Sequence, residues 1–562
     1  MKFDAIVVGS GMSGAIAAKE LCERGLKVLV LERGRNIDPS EDFTDMVMPW
    51  EYKNNNLVPE DEVARDYAVQ SQCYAFNETT KHFWVKDSDH PYTTPEDKPF
   101  TWIRGYHVGG RSIMWGRQTY RMSEMDFEAN AKDGYGCDWP IRYSDLAPWY
   151  DHIEKFIGVA GSNEGLPQLP DGQFLPPWEM NDAEKLFKVR VEQKFAGRKV
   201  IIGRNANLSV AQPHHIELGR GDCQNRSICE RGCSFGAMHS SLSSSLPAAR
   251  RTGNLTLITD AIVHSVIQDP KTGKATGVRV VDQNTKVGKT YEARLIFLNA
   301  STIGTAQILL GSANEQNPRG LANGSDQVGR NLMDHTYALA TVGVLADGPN
   351  TFAKGRRPTG IYIPRYRNVT EESDGFVRGY GFQGGVTRTG GRPNATTSGI
   401  GAELKEQARE FGPWTVFISG FGEMLPNPEN RVTLHPTRKD KWGFAIPHIE
   451  CAFGPNERKM AQQILTDGKA MVEAAGATVV HQSTEPGTPG LGIHEMGTAR
   501  MGHDPKTSVL NRFNQAHEVP NLFCTDGAAM SSSGCQNPSL TYMALSARAA
   551  NHAVELLKEA KI

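Results

Sequence analysis

The 562-residue chain carries 61 Lys and Arg against 63 Asp and Glu, a formal net charge of −2. With a pI near 6.8 it has no charge excess to recruit nucleic acid or an anionic membrane as its main partner, and no apolar run approaches the roughly 18 residues that cross a bilayer. The length implies two or more domains, and nine cysteines, an odd and mostly scattered count, argue against a disulfide framework.

Residues 3–8 read as a short buried strand. Gly9-Ser10-Gly11-Met12-Ser13-Gly14 follows at once, then a helical run over 15–24 and a second apolar run over 27–31 that ends on Glu32 and Arg33. This is a βαβ unit carrying G-x-G-x-x-G with an acid about 20 residues on. Gly9 permits the tight turn, Gly11 lets backbone approach a pyrophosphate, and Gly14 lets helix and strand close up. The helix N-terminus offers free N–H groups to phosphates, and Glu32 is placed to accept from ribose hydroxyls. Because the strand starts at residue 3, the expectation is no signal peptide. The chain is then cytoplasmic, or is exported folded on another protein's signal.

Residues 37–100 are polar and irregular. A second Gly-rich segment spans 101–122 and contains Gly109-Gly110-Arg111-Ser112 and Met114-Trp115. Its small residues and successive N–H groups suit pyrophosphate and ring contact. A helical pattern covers 146–157, and strands are predicted at 255–258, 261–263, 277–281 and 294–300. Ala261-Ile262 opens the second of these strands, and Asn299-Ala300 ends the last at the cofactor edge. A helix follows over 303–311. Residues 340–480 show β-like runs broken by Gly and Pro, and the chain closes with a strand at 521–524, Asp526-Gly527, and a helix over 540–557. The fold class is therefore α/β, or α+β overall. A Rossmann-like dinucleotide domain is assembled from residues 1–36, 101–122, 201–335 and 486–562, with a cysteine loop at 221–236. A mixed or antiparallel-sheet substrate domain and excursions occupy 37–100, 123–200 and 336–485.

The cysteine loop spaces Cys223, Cys229 and Cys233 as C-x5-C-x3-C. Thiolates this close repel unless protonated, oxidised or bound to a soft metal. Three cysteines without a fourth suit a [3Fe–4S] cluster. A zinc held with His239, or unmetallated thiols with one disulfide pair, are the alternatives.

Five segments in order resemble the GMC (glucose–methanol–choline) oxidoreductases. They are the Gly9-Ser10-Gly11 unit, residues 107–112, 329–335 and 494–502, and Asn537-Pro538-Ser539-Leu540-Thr541. Within that family the cysteine segment and the Arg500-Met501-Gly502 ending look most like bacterial sugar dehydrogenases, above all the flavin subunit of those that oxidise C3 of glucosides. The resemblance implies bound FAD and a catalytic pair. His494 takes the hydroxyl proton as base, Asn537 holds the hydroxyl, and hydride passes to flavin N5. Asn537 also reads as a helix N-cap with Pro538 at the first helical position. His335 is the runner-up base, and His503 reads as solvated. Met114 stands where some members attach FAD covalently through histidine, so dissociable FAD is expected. Ala261-Ile262 matches a position where the family's backbone grips adenine, and Asp526 matches a late FAD contact near the ribityl chain or pyrophosphate.

The expected activity is oxidation of a pyranoside C3 hydroxyl to a 3-keto sugar, with electrons relayed through the cluster to cytochrome c or another acceptor. A small helper subunit with an export signal would place the chain in the periplasm, the alternative being the cytoplasm. Oxidation at C1 or C2, gluconate oxidation, a peroxide-forming oxidase, a non-redox flavoprotein or a bare electron-transfer subunit are the rivals. Trp414, Gln383, Glu403 and Tyr380 are candidates to line the sugar pocket.

Overall fold

Strands Phe3–Val8 and Val28–Leu31 are apolar and buried over Ala5–Val8 and 28–31, as a parallel sheet covered on both faces requires. They pair in parallel with Ala5 opposite Val28, and the helix Met12–Glu23 crosses between them. The computed structural model describes residues 3–352, 358–370, 372, 375–390, 400–407 and 409–562. Leu255–Ile258 extends this sheet beyond Val28–Leu31, while Gly288–Leu298 and then Leu522–Cys524 extend it beyond Phe3–Val8, all in parallel.

The strand Gly288–Leu298 serves two sheets. Its second half is continuously buried and lies in the parallel sheet. Its first half alternates between exposed and half-buried residues and pairs antiparallel with Ala275–Asp282, which pairs with Ala261–Gln268. Only the apolar second half carried a signal in the sequence, so the predicted strand began at 294.

The closing helix Ser539–Lys558 packs against Met12–Glu23 and against Tyr143–Ile157. Phe127, Trp139, Leu146 and Tyr150 share one core with Leu540 and Met543. The helices in 123–200 up to residue 157 thus pack on the dinucleotide side rather than with the inserted sheet. The ribbon Arg431–Lys439 with Ala445–Glu450 does the same. It lies on the helix Thr302–Gly311, and its Val432 and Ile449 join that core. The short strand Ile201–Ile202 goes the other way and pairs with Ile361 and Tyr362.

The second sheet is antiparallel and six-stranded. Its order is Ala477–Gln482, Thr336–Leu345, Phe411–Gly422, Tyr380–Gly390, Ile361–Ile363, Ile201–Ile202. Strand periodicity of two decides its faces. Phe382, Val416 and Ile418 pack with Met460 and Ile464 of the helix Pro455–Ala474. Gln383, Phe417 and Ser419 point to the opposite face, into a cavity between the two sheets.

Candidate active site

A cavity of about 2150 Å³ runs between the parallel sheet and the antiparallel one. At one end the glycine unit forms a cradle. Gly9 has φ +96°, and a Cβ there would stand 2.3 Å from the Asn299 carbonyl oxygen. A Cβ on Gly14 would stand 2.1 Å from the Gly9 carbonyl oxygen, while one on Gly11 would meet nothing within 4 Å. Gly9 and Gly14 therefore close the turn onto the sheet, and Gly11 opens to the cavity, whose wall includes Gly9, Gly11, Met12 and Ser13. Gly14 sits behind the wall as a packing residue.

Glu32 and Arg33 also face the cavity. The Glu32 carboxylate accepts from the Ser10 hydroxyl at 2.6 Å and backbone N–H at 3.0 Å, and from the Gly34 N–H at 3.0 Å. Burial raises its pKa against these bonds. Its first duty is thus to tie the glycine turn to the second strand, in addition to the ligand contact expected of it. The Arg33 guanidinium lies over the Tyr106 and Trp442 rings.

Gly110, Arg111, Ser112 and Met114 reach the cavity from the second Gly-rich segment. Gly109, with φ +88°, stays behind them, its N–H donating to Ser10 Oγ. Ala261, Ile262, Asn299 and Ala300 line the opposite wall, with Asp526 and Pro538. Asp526 is buried, accepts from Thr305 Oγ1 at 2.6 Å and the Ala528 N–H at 2.9 Å, and is pushed up to about 6 by burial. The ribbon after residue 430 supplies Asp440 and Phe444 to this end, with the Phe444 ring stacked on His264. Neither residue carried a sequence signal, because the ribbon reads as part of the inserted domain.

At the other end His494 and Asn537 meet. Asn537 Nδ2 lies 3.2 Å from His494 Nε2, and Asn537 Oδ1 accepts from Gln383 Nε2 at 2.5 Å. Pro538, not Asn537, occupies the N-cap of the closing helix, so the expected capping role of Asn537 is not taken up. His335, buried at 1% exposure, lies with Nδ1 2.8 Å from His494 Nδ1 and Nε2 2.7 Å from the Gly534 carbonyl oxygen. Burial lowers His335 to about 4, and burial with the His335 and Arg111 charges lowers His494 well below its ordinary value.

The loop bearing His494 is held by Asp334. Its Oδ2 accepts the N–H of Gly490 at 2.8 Å and of Gly492 at 2.9 Å, and its Oδ1 accepts the His494 N–H at 3.1 Å. Burial, then Glu495, raises Asp334 to about 7. Glu495 in turn holds Arg111 at 2.8 and 3.2 Å, joining the two ends of the site. His503 is exposed, 3.7 Å from Asp138.

Of the four sugar-pocket candidates only Gln383 lines the cavity. Trp414 is buried and donates to the Pro349 carbonyl, the Tyr380 hydroxyl donates to Asp467 at 2.6 Å, and Glu403 is exposed on the helix Ala402–Gln407. Ser419, opposite Gln383 in the ladder, is the member the sequence could not supply. Its buried hydroxyl has no partner among the described residues and faces the cavity.

The cysteine loop lies against the 110–113 turn, and its Asn225 and Ser227 reach the cavity wall. Burial, then the neighbouring Cys229 and Cys233, raises Cys223 to about 11. All nine cysteines are free, so the disulfide alternative does not hold, and among the described residues no three His, Cys, Asp or Glu converge as a metal ligand set. His239, the fourth zinc ligand considered, is bonded at Nδ1 to the Ser244 hydroxyl and joins no such set among the described residues. The charges around the loop still suit an anionic occupant. Arg220 is 2% exposed, bonds only the carbonyls of Gly236 and Ala237, leaves Nη1 unpartnered and has no carboxylate in ion-pair range among the described residues. Burial lowers it to about 9 against the opposing pull of Cys233. A buried cation without an anion is costly, and three thiolates around a cluster would supply one.

Comparison with known proteins places these features in a family. Two models described as GMC oxidoreductase match residues 3–337 and 426–546. The chain is 29% identical to the fructose dehydrogenase large subunit of Gluconobacter japonicus, over 99% of this chain and 98% of that one. It is 25% identical to the gluconate 2-dehydrogenase flavoprotein of Pantoea cypripedii, over 96% and 91%. Among solved structures it is similar to a pyridoxine 4-oxidase from Mesorbium loti, with a TM-score of 0.61, 16% identity and 99% coverage of both chains.

Proposed function

From the premise that the chain belongs to the GMC oxidoreductase family, and so is an FAD-dependent oxidoreductase acting on CH–OH groups, we propose that it is a sugar dehydrogenase oxidising a secondary ring hydroxyl, C3 of a glucoside, to the ketone. The observation that carries this reading is the His494–Asn537 pair, 3.2 Å apart, at the cavity end faced by the polar Gln383 and Ser419.

His494 Nε2 is the proton acceptor. It is neutral and so has a lone pair available at working pH. The Asn537 amide, directly beside it, donates to the same substrate oxygen as that oxygen becomes anionic. Gln383 and Ser419 bind the neighbouring ring hydroxyls and fix which carbon is presented. FAD, when bound in the glycine cradle, supplies the acceptor for the two electrons and the hydrogen leaving that carbon. The cradle residues fit it: an open backbone at Gly11, a helix N-terminus behind it, and a cavity long enough to continue to His494. Dissociable FAD is part of the proposal, as Met114 has no ring nitrogen for a covalent bond.

A [3Fe–4S] cluster would be held by Cys223, Cys229 and Cys233 and would pass electrons singly to a cytochrome c or another acceptor. Its support is the donor chemistry and the unpaired Arg220 charge beside it. Among the described residues no helix is long and apolar enough to cross a membrane. A small helper subunit and a periplasmic location complete the proposal, the first supported by the "large subunit" name of the fructose dehydrogenase relative.

The test is anaerobic mixing of the reconstituted protein with methyl glucosides. Bleaching of the flavin absorbance and a 3-keto product by NMR are expected. Bleaching with a C1 or C2 product would move the site of oxidation, fast peroxide formation in air would make it an oxidase, and a flavin that no sugar bleaches would overturn the reading. Iron and acid-labile sulfide analysis decides the cluster, and fractionation with and without the helper decides location.

A further inference from the structure

We infer that His335 and Gln383 are positioning residues that set the direction of one continuous hydrogen-bond chain, and through it the protonation pattern of His494 and the amide orientation of Asn537. The inference rests on His494 being the base. The chain runs Gly534, His335, His494, Asn537, Gln383, with successive separations of 2.7, 2.8, 3.2 and 2.5 Å.

Its direction follows from one group that can act in only one way. A carbonyl oxygen only accepts, so the proton of His335 lies on Nε2, facing Gly534. Neutral His335 then has a lone pair on Nδ1. The facing Nδ1 of His494 must carry a proton, which leaves His494 Nε2 bare. A bare nitrogen requires a donor opposite, so Asn537 turns its NH2 towards it. The amide oxygen of Asn537 then faces Gln383, which must present its own NH2. Every member is fixed by the one before it, and reversing any one puts two lone pairs or two protons face to face.

The anchor itself is braced. The Gly534 N–H donates to Glu423 Oε1 at 3.2 Å, and Glu423 is held at 2.7 Å by Arg378, both side chains being almost wholly buried. His494 Nε2 is thereby kept bare before any substrate arrives, its lone pair accepting from the Asn537 NH2 until a substrate hydroxyl takes that place. An imidazole whose tautomer were free would spend part of its time with Nε2 protonated and unable to accept.

This predicts an inversion that packing alone does not. Gln383→Glu conserves shape but replaces a donor with an acceptor. Asn537 must then turn its NH2 to residue 383 and its oxygen to His494, which is driven to protonate Nε2 while the bare Nδ1 of His335 still holds the proton on His494 Nδ1, so that the imidazole keeps both protons and cannot act as base. Gln383→Leu merely removes the end of the chain. The isosteric Glu variant should therefore be the worse of the two, with kcat down about 100-fold against about 10-fold for Leu, the range carried by one or two buried hydrogen bonds. His335→Leu should lose about 10- to 100-fold in kcat with KM little changed. His335→Asn, whose side-chain oxygen can stand where Nδ1 stood, should recover most of it.

The decisive measurement is 15N NMR of histidine-labelled holoenzyme, with His494 assigned by its loss in His494→Ala. Wild type should show His494 protonated on Nδ1 and bare on Nε2, and Gln383→Glu protonated on both nitrogens, each variant first being shown to hold FAD at wild-type content and to melt cooperatively. A wild-type His494 protonated on Nε2 would overturn the inference, as would His335→Asn no better than His335→Leu, or Gln383→Glu milder than Gln383→Leu. If His494→Ala still bleaches its flavin with sugar, the base assignment itself fails, whereas the NMR result stands independently of it.

Discussion

Asp334→Asn isolates the device that holds His494, the proposed base, in place. In the native protein one carboxylate accepts three backbone N–H groups, from Gly490, Gly492 and His494. The amide offers one acceptor oxygen. If that oxygen takes the Gly490 and Gly492 donors, its NH2 confronts the His494 N–H, and at least one buried donor is left unpaired. Losing a bond to a charged acceptor costs about 1.5–3 kcal/mol, and an unsatisfied buried donor about 1–3 kcal/mol, so the loop should be loosened by roughly 2.5–6 kcal/mol. Ile493, the residue before the base, has φ +59°, a left-handed conformation that a non-glycine residue leaves readily once released.

The expected result is FAD bound at wild-type content but anaerobic flavin reduction slowed at least 100-fold. The pH profile supplies a second readout. Burial holds the Asp334 proton up to about 7, against an ordinary value of 3.8. Between those values the folded protein binds more protons than the unfolded chain, so this group's contribution to stability is complete below 3.8 and is lost as pH rises towards 7. About three pH units correspond to roughly 4 kcal/mol, and Asp334→Asn should remove that slope from Tm measured between pH 4 and 7. Reduction should run in the opposite sense, falling in the native enzyme below about pH 7, because protonation removes the charge that strengthens these bonds and turns an O–H towards one of the backbone N–H groups. Wild-type reduction kinetics in Asp334→Asn, or an unchanged slope of Tm with pH, would refute this account of the loop.

Gly14→Ala should abolish FAD retention, since its new methyl would lie 2.1 Å from the Gly9 carbonyl oxygen; protein that purifies yellow would contradict the cradle. His494→Ala should keep its flavin and lose at least 1000-fold in reduction rate, read by anaerobic stopped flow. Cys229→Ser should leave flavin reduction by substrate intact while iron content and reduction of a one-electron protein acceptor fall together; full acceptor turnover without iron would remove the cluster from the proposal. Arg220→Met, which takes a lone buried cation from beside Cys233, should lower iron retention and shift the reduction potential of the bound cluster, and an unchanged potential would mean that the guanidinium serves only to pack.

The sequence alone determined whatever depends on short range. The strand–turn–helix of the first 31 residues, the strand at 255–258 and the closing helix appear within a few residues of their predicted bounds, because each carries its own apolar period and its own glycine or proline punctuation. The ordered motifs brought His494, Asn537 and the cradle residues to notice for the same reason. Contacts between distant segments had no such signature. The ribbon at 431–450 and the helix Tyr143–Ile157 show ordinary amphipathic patterns that do not say which core they join. Gln383 and Ser419 are single polar residues on strands, and only the register that sets them opposite each other turns both to the cavity. His335 read as a runner-up base, and nothing in the sequence tied it to His494, 159 residues away. What tertiary structure decided was direction: a backbone carbonyl at Gly534, invisible in any side-chain pattern, dictates where two imidazole protons lie and which way an amide turns. Composition and spacing can nominate a base, but the lone pair it presents is settled by whichever acceptor the fold places behind it.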